Sequence, residues 1–308
     1  MERRLIAIVG PTCSGKSDLA FQIAEELQTE IISADSRQIY NELTIGTAKP
    51  PVEYLNKIKH HFIDHISIDE TYNVGIYSKE SEQIIDTLFS NGKIPIVVGG
   101  SGLYISSLLY GIFESPEIDF EVRKKLELEL EESGLQLLIE KLKKADFKTY
   151  SIIDLKNPRR VIRALEVFES TGFPISQLQK MGSSQKNFTF KIFGLNWDRK
   201  ILYSRINKRV LQMIDAGLIE EVVGIINDHS PDNNTILHTV GYKEVIDYLK
   251  GNITKDKMTE LIQRNTRRYA KRQMTWFRKN EEIQWFDLRE ESNFTYIKNE
   301  ILKEFRGN

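Results

Sequence analysis

A glycine-bounded loop near the start of the chain carries residues suited to binding phosphate. Residues 10–17 match the pattern G-x-x-x-x-G-K-[ST] without a mismatch, after the apolar run 5–9 and before the helix-like stretch 16–27. In such loops glycines let backbone N–H groups converge on a polyphosphate, while the lysine and the helix start add positive charge. The Ser17 hydroxyl suits a magnesium ion that bridges the phosphates. The motif predicts a phosphate-binding loop formed by Gly10, Pro11, Thr12, Cys13, Ser14, Gly15, Lys16 and Ser17.

The loop alone leaves the reaction open. Binding and hydrolysis of a nucleotide such as ATP, phosphoryl transfer to a small acceptor, and departure of diphosphate from carbon all need the same cradle. A kinase of nucleotides or other small metabolites is therefore one alternative to a transferase that releases diphosphate. A nucleotide-regulated RNA-binding protein without covalent chemistry is another.

A second polar group, residues 33–40, follows the next apolar run. Asp35 would lie at the carboxyl end of a strand, the edge of a parallel sheet that faces the ligand crevice. There it could hold magnesium through water or accept a proton from a nucleophile, although an aspartate that merely caps a turn is the simpler alternative. Arg37 and Gln38 offer a fixed cation and a donor–acceptor pair, which suit a phosphate and the edge of a nucleobase.

These residues need a sheet to position them, and the first part of the chain alternates strand-like and helix-like segments. The predicted strands are 5–9, 30–34, 61–66 and 94–98, and the predicted helices are 16–27, 74–89 and 102–110. Alternation of this kind indicates an α/β fold, here a P-loop NTPase-like parallel sheet with helices on both faces.

The pattern of apolar and charged residues changes in the middle of the chain. Between residues 116 and 179 there are charged amphipathic segments and no strand-like run, which indicates a helical insertion. Residues 188–195 alternate apolar and polar side chains and predict a strand that returns to the sheet, and the remainder is expected to be helical. The predicted domains are a core of 1–115 and 188–308 and a mostly helical insertion of 116–187.

Composition restricts the class of protein further. The 308 residues include 43 basic and 44 acidic side chains and a formal net charge of −1, which excludes a wholly basic nucleic-acid coat. The single cysteine, Cys13, permits no internal disulfide and suits a reducing compartment. No signal peptide and no apolar run of membrane-spanning length is visible. We therefore expect a cytoplasmic protein, acting as a monomer, with no membrane partner.

One predicted helix, 258–279, concentrates positive charge. Its cations are Arg264, Arg267, Arg268, Lys271, Arg272, Arg278 and Lys279, and at about 100° per residue they occupy one side. Ile262, Tyr269, Ala270, Trp276 and Phe277 are expected on the opposite, packed side. A charged helix face is usually just solvated. The alternatives to a solvated face are contact with an RNA backbone and contact with a membrane surface.

Seven blocks in order along the chain resemble the signature of the tRNA dimethylallyltransferases, also called tRNA isopentenyltransferases. The phosphate loop is shared by many families, whereas the Asp-Ser-Arg-Gln and Gly-Thr-Ala-Lys-Pro blocks are specific. The blocks are residues 10–17, 33–40, 45–50, 97–104, 157–166, 240–244 and 264–273. Cys13, Ser17 and Ser101 replace the alanine, threonine and threonine that are usual there, and both serines keep the hydroxyl.

The resemblance implies transfer of a dimethylallyl group from dimethylallyl diphosphate to N6 of adenine 37 in the tRNA anticodon loop, with Mg²⁺ required and diphosphate released. Asp35 would be the general base, and Thr12, Lys16 and Arg209 would contact the donor diphosphate, with Arg205 one turn from Arg209. The positions that would touch tRNA are Asp35, Ser36, Arg37, Gln38, Ser101, Arg123, Arg159, Arg160, Val161, Ile162, Arg163, His238, Thr239, Val240, Gly241, Tyr242 and Lys243.

Overall fold

The computed structural model describes residues 3–111, 120–181, 186–230, 233–290 and 293–305. The chain divides into two units, residues 1–109 with 187–308 and residues 110–186. The predicted boundary between 115 and 116 lies outside the described residues. The predicted boundary between 187 and 188 differs by one residue from the observed division.

A six-stranded sheet organises the first unit, with strand order β3-β2-β4-β1-β5-β6. All pairings between its strands are parallel, as predicted. Because β4 lies between β2 and β1, the loops that leave these three strands meet at one edge of the sheet. The strands are β1 (Arg4–Val9), β2 (Ile31–Ser33), β3 (His60–His61), β4 (Ile96–Gly99), β5 (Thr189–Trp197) and β6 (Ile283–Leu288).

Helices cover both faces of this sheet. Leu5, Ala7 and Val9 of β1 enter one buried core, while Ile6 and Ile8 enter the other, and all five are fully buried. This explains why β1 is apolar throughout rather than alternating. In the first unit the helices are α1 (Lys16–Leu27), α2 (Val52–Lys57), α3 (Val74–Ser90), α4 (Gly102–Tyr110), α10 (Arg199–Asp215), α11 (Leu218–Asp228), α12 (Asn234–Leu237), α13 (Tyr242–Leu249), α14 (Lys255–Phe277) and α15 (Asn293–Phe305).

Two predictions about strands are wrong. The strand predicted at 61–66 ends at His61, because Phe62 and Asp64 adopt left-handed backbone angles, with φ of 62° and 50°. The region after residue 195, predicted to be helical, contains β6, which pairs with residues 192–197 of β5.

The second unit is helical within its described residues. A small core that includes Leu126, Leu138, Leu142 and Leu165 holds its helices together. Its helices are α5 (Phe120–Ser133), α6 (Leu135–Ala145), α7 (Phe147–Ile152), α8 (Pro158–Thr171) and α9 (Ile175–Met181). In the described part of the chain, no helix is long and apolar enough to cross a membrane.

Asp146 links α7 to α9 through four hydrogen bonds. It is buried and accepts from the backbone N–H and hydroxyl of Thr149, at 3.0 and 2.7 Å, and from those of Ser176, at 2.9 and 2.7 Å. Burial favours a higher pKa for Asp146, but these hydrogen bonds outweigh it and hold the pKa below its ordinary value. The carboxylate therefore stabilises the second unit.

We expect Asp146→Ala to lower the free energy of unfolding by about 2–4 kcal/mol, since several buried donors lose their acceptor. Because the folded pKa is lowered, the stabilisation is complete above the ordinary carboxyl pKa and is lost as pH falls through the folded pKa. Urea unfolding followed by circular dichroism at several pH values measures both effects. Asp154→Ala, at an exposed aspartate that accepts from the N–H of Lys156, is the matched control; equal losses in the two variants would contradict the assignment.

Candidate active site

The phosphate loop joins β1 to α1 in the geometry that its sequence predicts. Gly15 caps α1 with a left-handed φ of 83°, and an added Cβ there would overlap the ring of Phe294. Glycine is therefore the residue that fits this position. Cys13 also adopts a left-handed conformation, with φ of 63°, although it carries a side chain. Strained backbone of this kind is concentrated at functional sites.

Side chains from two distant elements hold the loop by its carbonyl groups. The Arg205 Nε donates to the Cys13 oxygen at 3.0 Å, and the Trp197 Nε1 donates to the Ser14 oxygen at 2.9 Å. The Arg205 guanidinium also lies 4.6 Å from the centre of the Trp197 ring. The loop is thus fixed without using the first amides of α1, which have no partner within the helix and remain suited to an anion.

Gln273 of α14 is a loop contact to which sequence reasoning gave no role. Its Oε1 accepts from the N–H of Thr12 at 2.9 Å, and its Nε2 donates to the Gly100 oxygen at 3.0 Å. The side chain is buried and so ties the phosphate loop to the end of β4. Membership of the block 264–273 was the signal that could have drawn attention to it.

A cleft lies beside this loop. It brings together the cation and hydroxyl of the loop with the carboxylate that follows β2, as the sequence predicts for loops at one sheet edge. His60, which had no predicted role, also lines it, and burial lowers the pKa of its imidazole. The lining residues are Lys16, Ser17, Ser33, Asp35, Gln38, Pro50, His60, Ile63, Val98 and Gly99.

The charges in the cleft act on one another. Burial lowers the pKa of the Lys16 ammonium, the negative charge of Asp35 opposes this effect, and the positive charge of Arg209 adds to it. The Lys16 Nζ also donates to the Pro11 oxygen at 3.3 Å. Two cations and one carboxylate therefore share the space in which a charged ligand would bind.

Asp35 is held by one of its two oxygens. Its Oδ1 accepts from the N–H of Arg37 at 2.9 Å and from that of Gln38 at 3.4 Å. Oδ1 therefore caps a turn, which is the simpler role that the sequence suggested for Asp35. The fixed carboxylate still lines the cleft, and Oδ2 is its candidate proton acceptor.

Arg205 and Arg209 both reach the phosphate loop, one turn apart on α10. Arg205 supports the loop backbone, as described above. Arg209 contacts the Cys13 Sγ at 3.5 Å and the Ala48 oxygen at 3.4 Å, and its charge acts on Lys16. Arg209 is therefore the better candidate for contact with a diphosphate.

The segment around residues 44–49 is fixed by one carboxylate. Glu221 accepts from the backbone N–H groups of Thr44, Ile45 and Gly46, at 3.2, 2.6 and 3.1 Å. It also accepts from the Tyr242 hydroxyl at 2.6 Å. The carbonyls of Thr47 and Ala48 then accept from Gln38 Nε2, at 3.1 and 3.0 Å. Glu221 thereby helps to position Gln38, which lines the cleft. The sequence motifs predicted no role for Glu221.

Ser101 and Tyr269 stand next to Asp35. The Ser101 hydroxyl accepts from the N–H of Ser36 at 3.0 Å and contacts the Ser36 hydroxyl at 3.2 Å. Burial and the nearby charge of Asp35 raise the pKa of Tyr269 to about 12, while Arg37, Arg272 and a hydrogen bond with Ser101 act in the opposite direction. The phenol is therefore neutral at physiological pH.

The remaining predicted tRNA contacts of the first unit differ in exposure. His238 and Lys243 are exposed, whereas Thr239 and Gly241 are buried and Val240 is partly buried. Tyr242 is fully buried, so its side chain supports Glu221 rather than facing solvent. A direct contact between this side chain and tRNA does not fit the structure.

In the second unit, the predicted tRNA residues lie on α5 and α8. Arg159 and Arg160 are exposed, while Val161 and Ile162 are buried in the core of the unit and position the helix instead. Glu166 is also buried and pairs with two arginines, Arg163 at 2.9 Å and Arg123 at 3.7 Å. These pairs hold the two guanidinium groups at fixed places on the unit.

The basic helix is α14, and one part of its predicted pattern is wrong. Ile262, Ala270 and Phe277 are buried as expected, but Trp276 is 41% exposed. Arg267 is not simply solvated, because its Nη1 donates to the Asn207 Oδ1 at 2.5 Å. Trp276 lies about 120° from Arg264 around the helix axis. It therefore borders the cationic side of the helix and does not lie opposite to it.

The donor atoms in the cleft suit magnesium. The Ser17 hydroxyl and the Asp35 carboxylate both line it, and Mg²⁺ commonly takes one or two protein oxygens together with substrate phosphates. Among the described residues, no cluster of three or more histidine, cysteine, aspartate or glutamate side chains could hold a metal by itself.

The parallel sheet, phosphate loop and facing carboxylate define a P-loop-like α/β enzyme. A family model described as IPP transferase matches residues 38–280. The chain therefore belongs to the IPP transferase family, as the sequence resemblance predicted. A protein of Acetivibrio thermocellus named tRNA dimethylallyltransferase is 45% identical over 300 residues, which cover 96% of this chain and 95% of that protein.

Two solved structures are also similar. The full-length tRNA isopentenylpyrophosphate transferase from Bacillus halodurans is 35% identical, with a TM-score of 0.72 and coverage of 99% of this chain and 97% of that one. A eukaryotic dimethylallyltransferase acting on tRNA is 26% identical, with a TM-score of 0.80 and coverage of 98% and 80%. The likeness therefore extends over the whole chain.

We expect Gln273→Leu to weaken the binding of inorganic pyrophosphate about tenfold, because the Thr12 amide and the Gly100 carbonyl both lose their partner. Isothermal titration calorimetry measures this directly. Gln263→Leu is the matched control, since Gln263 lies on the same helix and donates to a backbone carbonyl that is not part of the loop, that of Asn207. Unchanged affinity in Gln273→Leu would remove the residue from the site.

Proposed function

We propose that this chain transfers a dimethylallyl group from dimethylallyl diphosphate to N6 of adenine 37 in the anticodon loop of tRNA. The observation that carries the proposal is the single cleft lined by both Lys16 of the phosphate loop and Asp35. One side of that cleft suits a departing diphosphate, and the other suits a nucleophile that must lose a proton. The names of the relatives support the same reaction.

The bond changes assign a task to each side chain. The C1–O bond of the donor breaks and its electron pair leaves with the diphosphate, while a new bond forms between C1 and N6 of adenine. Lys16, Arg209 and the amides at the start of α1 stabilise charge on the diphosphate oxygens, and Thr12 is a further donor in the loop. The adenine amine is a weak nucleophile, so Asp35 accepts its proton as the C–N bond forms.

Magnesium completes the proposed site. The Ser17 hydroxyl would hold Mg²⁺, with diphosphate oxygens as further ligands. The ion would supply positive charge to the leaving group. Lys16 and Arg209 supply charge of the same sign from the protein.

The tRNA must present its adenine outside the anticodon-loop stack, which costs a few kcal/mol and is cheapest for a loop base. Arg37, Gln38 and Ser101 lie around Asp35 and are proposed to bind the nucleotide there. Arg123, Arg159, Arg160 and Arg163 of the second unit are proposed to bind the RNA backbone. We further propose that the chain acts as a monomer in the cytoplasm.

The small-molecule kinase is the weaker alternative. It would need ATP to donate its γ-phosphoryl group to a small acceptor, with no requirement for tRNA. Incubation with dimethylallyl diphosphate and total tRNA, followed by mass analysis of the nucleosides, separates the two. Consumption of ATP without prenylated adenosine would reject the transferase.

We expect Asp35→Asn to lower turnover by at least about a hundredfold, a typical size for loss of a general base. Asparagine keeps Oδ1 as the acceptor for the Arg37 amide, so the loop should hold its shape while the second oxygen loses its basicity. Single-turnover prenylation measures the rate, and pyrophosphate affinity serves as the internal control. Near-normal turnover with intact binding would refute the base assignment.

We expect Lys16→Ala and Arg209→Ala each to weaken pyrophosphate binding by about 10- to 100-fold, because each removes a charged hydrogen-bond donor from the cradle. Calorimetry at constant ionic strength measures the affinities. Lys208→Ala provides the matched control, since Lys208 is an exposed cation that precedes Arg209 on the same helix. Wild-type affinity in either test variant would count against that residue as a diphosphate ligand.

A further inference from the structure

Lys49 carries a buried positive charge that has no task in the bond changes described above. Only 3% of its side chain is accessible to solvent. The residue belongs to the block 45–50 and directly precedes Pro50, which lines the cleft. Burying an ammonium group is costly unless its protons are hydrogen-bonded. The partners of this group therefore indicate which parts of the chain it holds together.

The three protons of the Lys49 ammonium all have acceptors. Its Nζ donates to the Tyr40 oxygen at 2.7 Å and to the Asn41 oxygen at 3.0 Å. It also forms an ion pair with Asp64, and the Thr44 hydroxyl lies at 3.4 Å. Two carbonyls and one carboxylate thus match the three donors of an ammonium. All four partners lie outside the phosphate loop.

The ammonium joins three segments of the chain, and each of them contributes a residue to the cleft. The segments are 38–44, 49–50 and 62–64, and their residues in the cleft are Gln38, Pro50 and Ile63. The Asp64 N–H also donates to the Gln38 oxygen at 3.3 Å, so the first and third segments meet beside the ion pair. The position of the ammonium therefore affects the spacing of three lining residues.

The backbone next to the ammonium is strained. Three residues that carry side chains adopt left-handed angles, with φ of 51° at Ala48, 62° at Phe62 and 50° at Asp64. Such angles are uncommon outside glycine and persist only where the surrounding structure imposes them. Lys49 pairs with Asp64 and directly follows Ala48, so its contacts help to impose two of these angles. Loss of the ammonium should let the strained segments shift.

We propose that Lys49 is a positioning residue for the transfer reaction, because it holds the cleft residues Gln38, Pro50 and Ile63 at the spacing that the reacting groups need. Gln38 is the residue whose N–H contacts the Asp35 carboxylate at 3.4 Å. A misplacement of about 1 Å at the reacting atoms can lower a rate about a hundredfold. This assignment rests on the function proposed above.

We expect Lys49→Met to lower the single-turnover rate of prenylation at saturating substrates by about 10- to 100-fold, because methionine fills a similar space without donors. Pyrophosphate affinity, measured by calorimetry, should stay near the wild-type value, because Arg205, Trp197 and Gln273 hold the phosphate loop. This split between rate and binding distinguishes positioning from general loss of structure, which would lower both.

Lys57→Met is the matched control, since it makes the same substitution at an exposed lysine that pairs with Glu25. Its rate and its pyrophosphate affinity should both match those of the wild type. A wild-type rate in Lys49→Met would overturn the assignment. Equal losses of rate in the two variants, or equal losses of rate and affinity in Lys49→Met, would do the same.

Variants of Asp64 test the same contact from its accessible side. Asp64 is 48% exposed, so its variants should fold even if Lys49→Met does not. Asp64→Asn keeps an oxygen that accepts from the ammonium and should retain most of the rate, whereas Asp64→Ala should lower it. In the double variant with Lys49→Met, the loss should be smaller than the product of the single losses, because both substitutions remove one contact. A wild-type rate in Asp64→Ala, or independent losses in the double variant, would contradict the proposal.

The wild-type protein separates this assignment from the proposed function. If the wild type forms no prenylated adenosine from dimethylallyl diphosphate and tRNA, the function fails and the assignment fails with it. If the wild type is active and Lys49→Met reacts equally fast, the assignment alone fails.

Discussion

An anion-binding loop must keep its backbone amides for the ligand, and the rest of this structure depends on how that constraint is met. The loop is gripped mainly through its carbonyls, by Arg205 at Cys13, by Trp197 at Ser14 and by Lys16 at Pro11. These side chains come from β5, α10 and α1. Arg205 and Trp197 lie outside the loop, so the strain of a left-handed Cys13 is maintained in part by packing that the loop itself does not supply.

The segment 44–48, beside the cleft, is also held through its backbone groups. Glu221 accepts three backbone amides of the segment 44–46, and the carbonyls that follow accept from Gln38 and Arg209. One partly buried carboxylate on α11 thus orients a residue on each side of the cleft. The distance between Lys16 and Asp35 is set by the strand order, because β4 lies between the strands from which their loops emerge. Backbone hydrogen bonding, more than contacts between side chains, makes the site.

The sequence predicts what is local. The phosphate loop, the parallel sheet and Asp35 beside the loop all follow from short motifs and the alternation of strands and helices. Strand β6 escapes prediction because Ile283–Leu288 has no clean alternation and becomes a strand only by pairing with β5. The left-handed backbone of Phe62 shortens β3 and has no signature in residue type. Gln273 meets Thr12 across 261 positions, a contact that a helical pattern cannot reveal.

Some residues of the family signature are buried, and they position other residues of the protein instead of contacting the substrate. Tyr242 is buried, yet its hydroxyl bonds the Glu221 carboxylate that orders the segment 44–46. Val161 and Ile162 are likewise buried, and they fix the helix that exposes Arg159 and Arg160. Loss of the Tyr242 hydroxyl would leave Glu221 with one donor fewer, and any shift of this segment would reach Gln38 through the Thr47 and Ala48 carbonyls. A side chain can therefore influence substrate binding through a chain of hydrogen bonds without contacting the substrate.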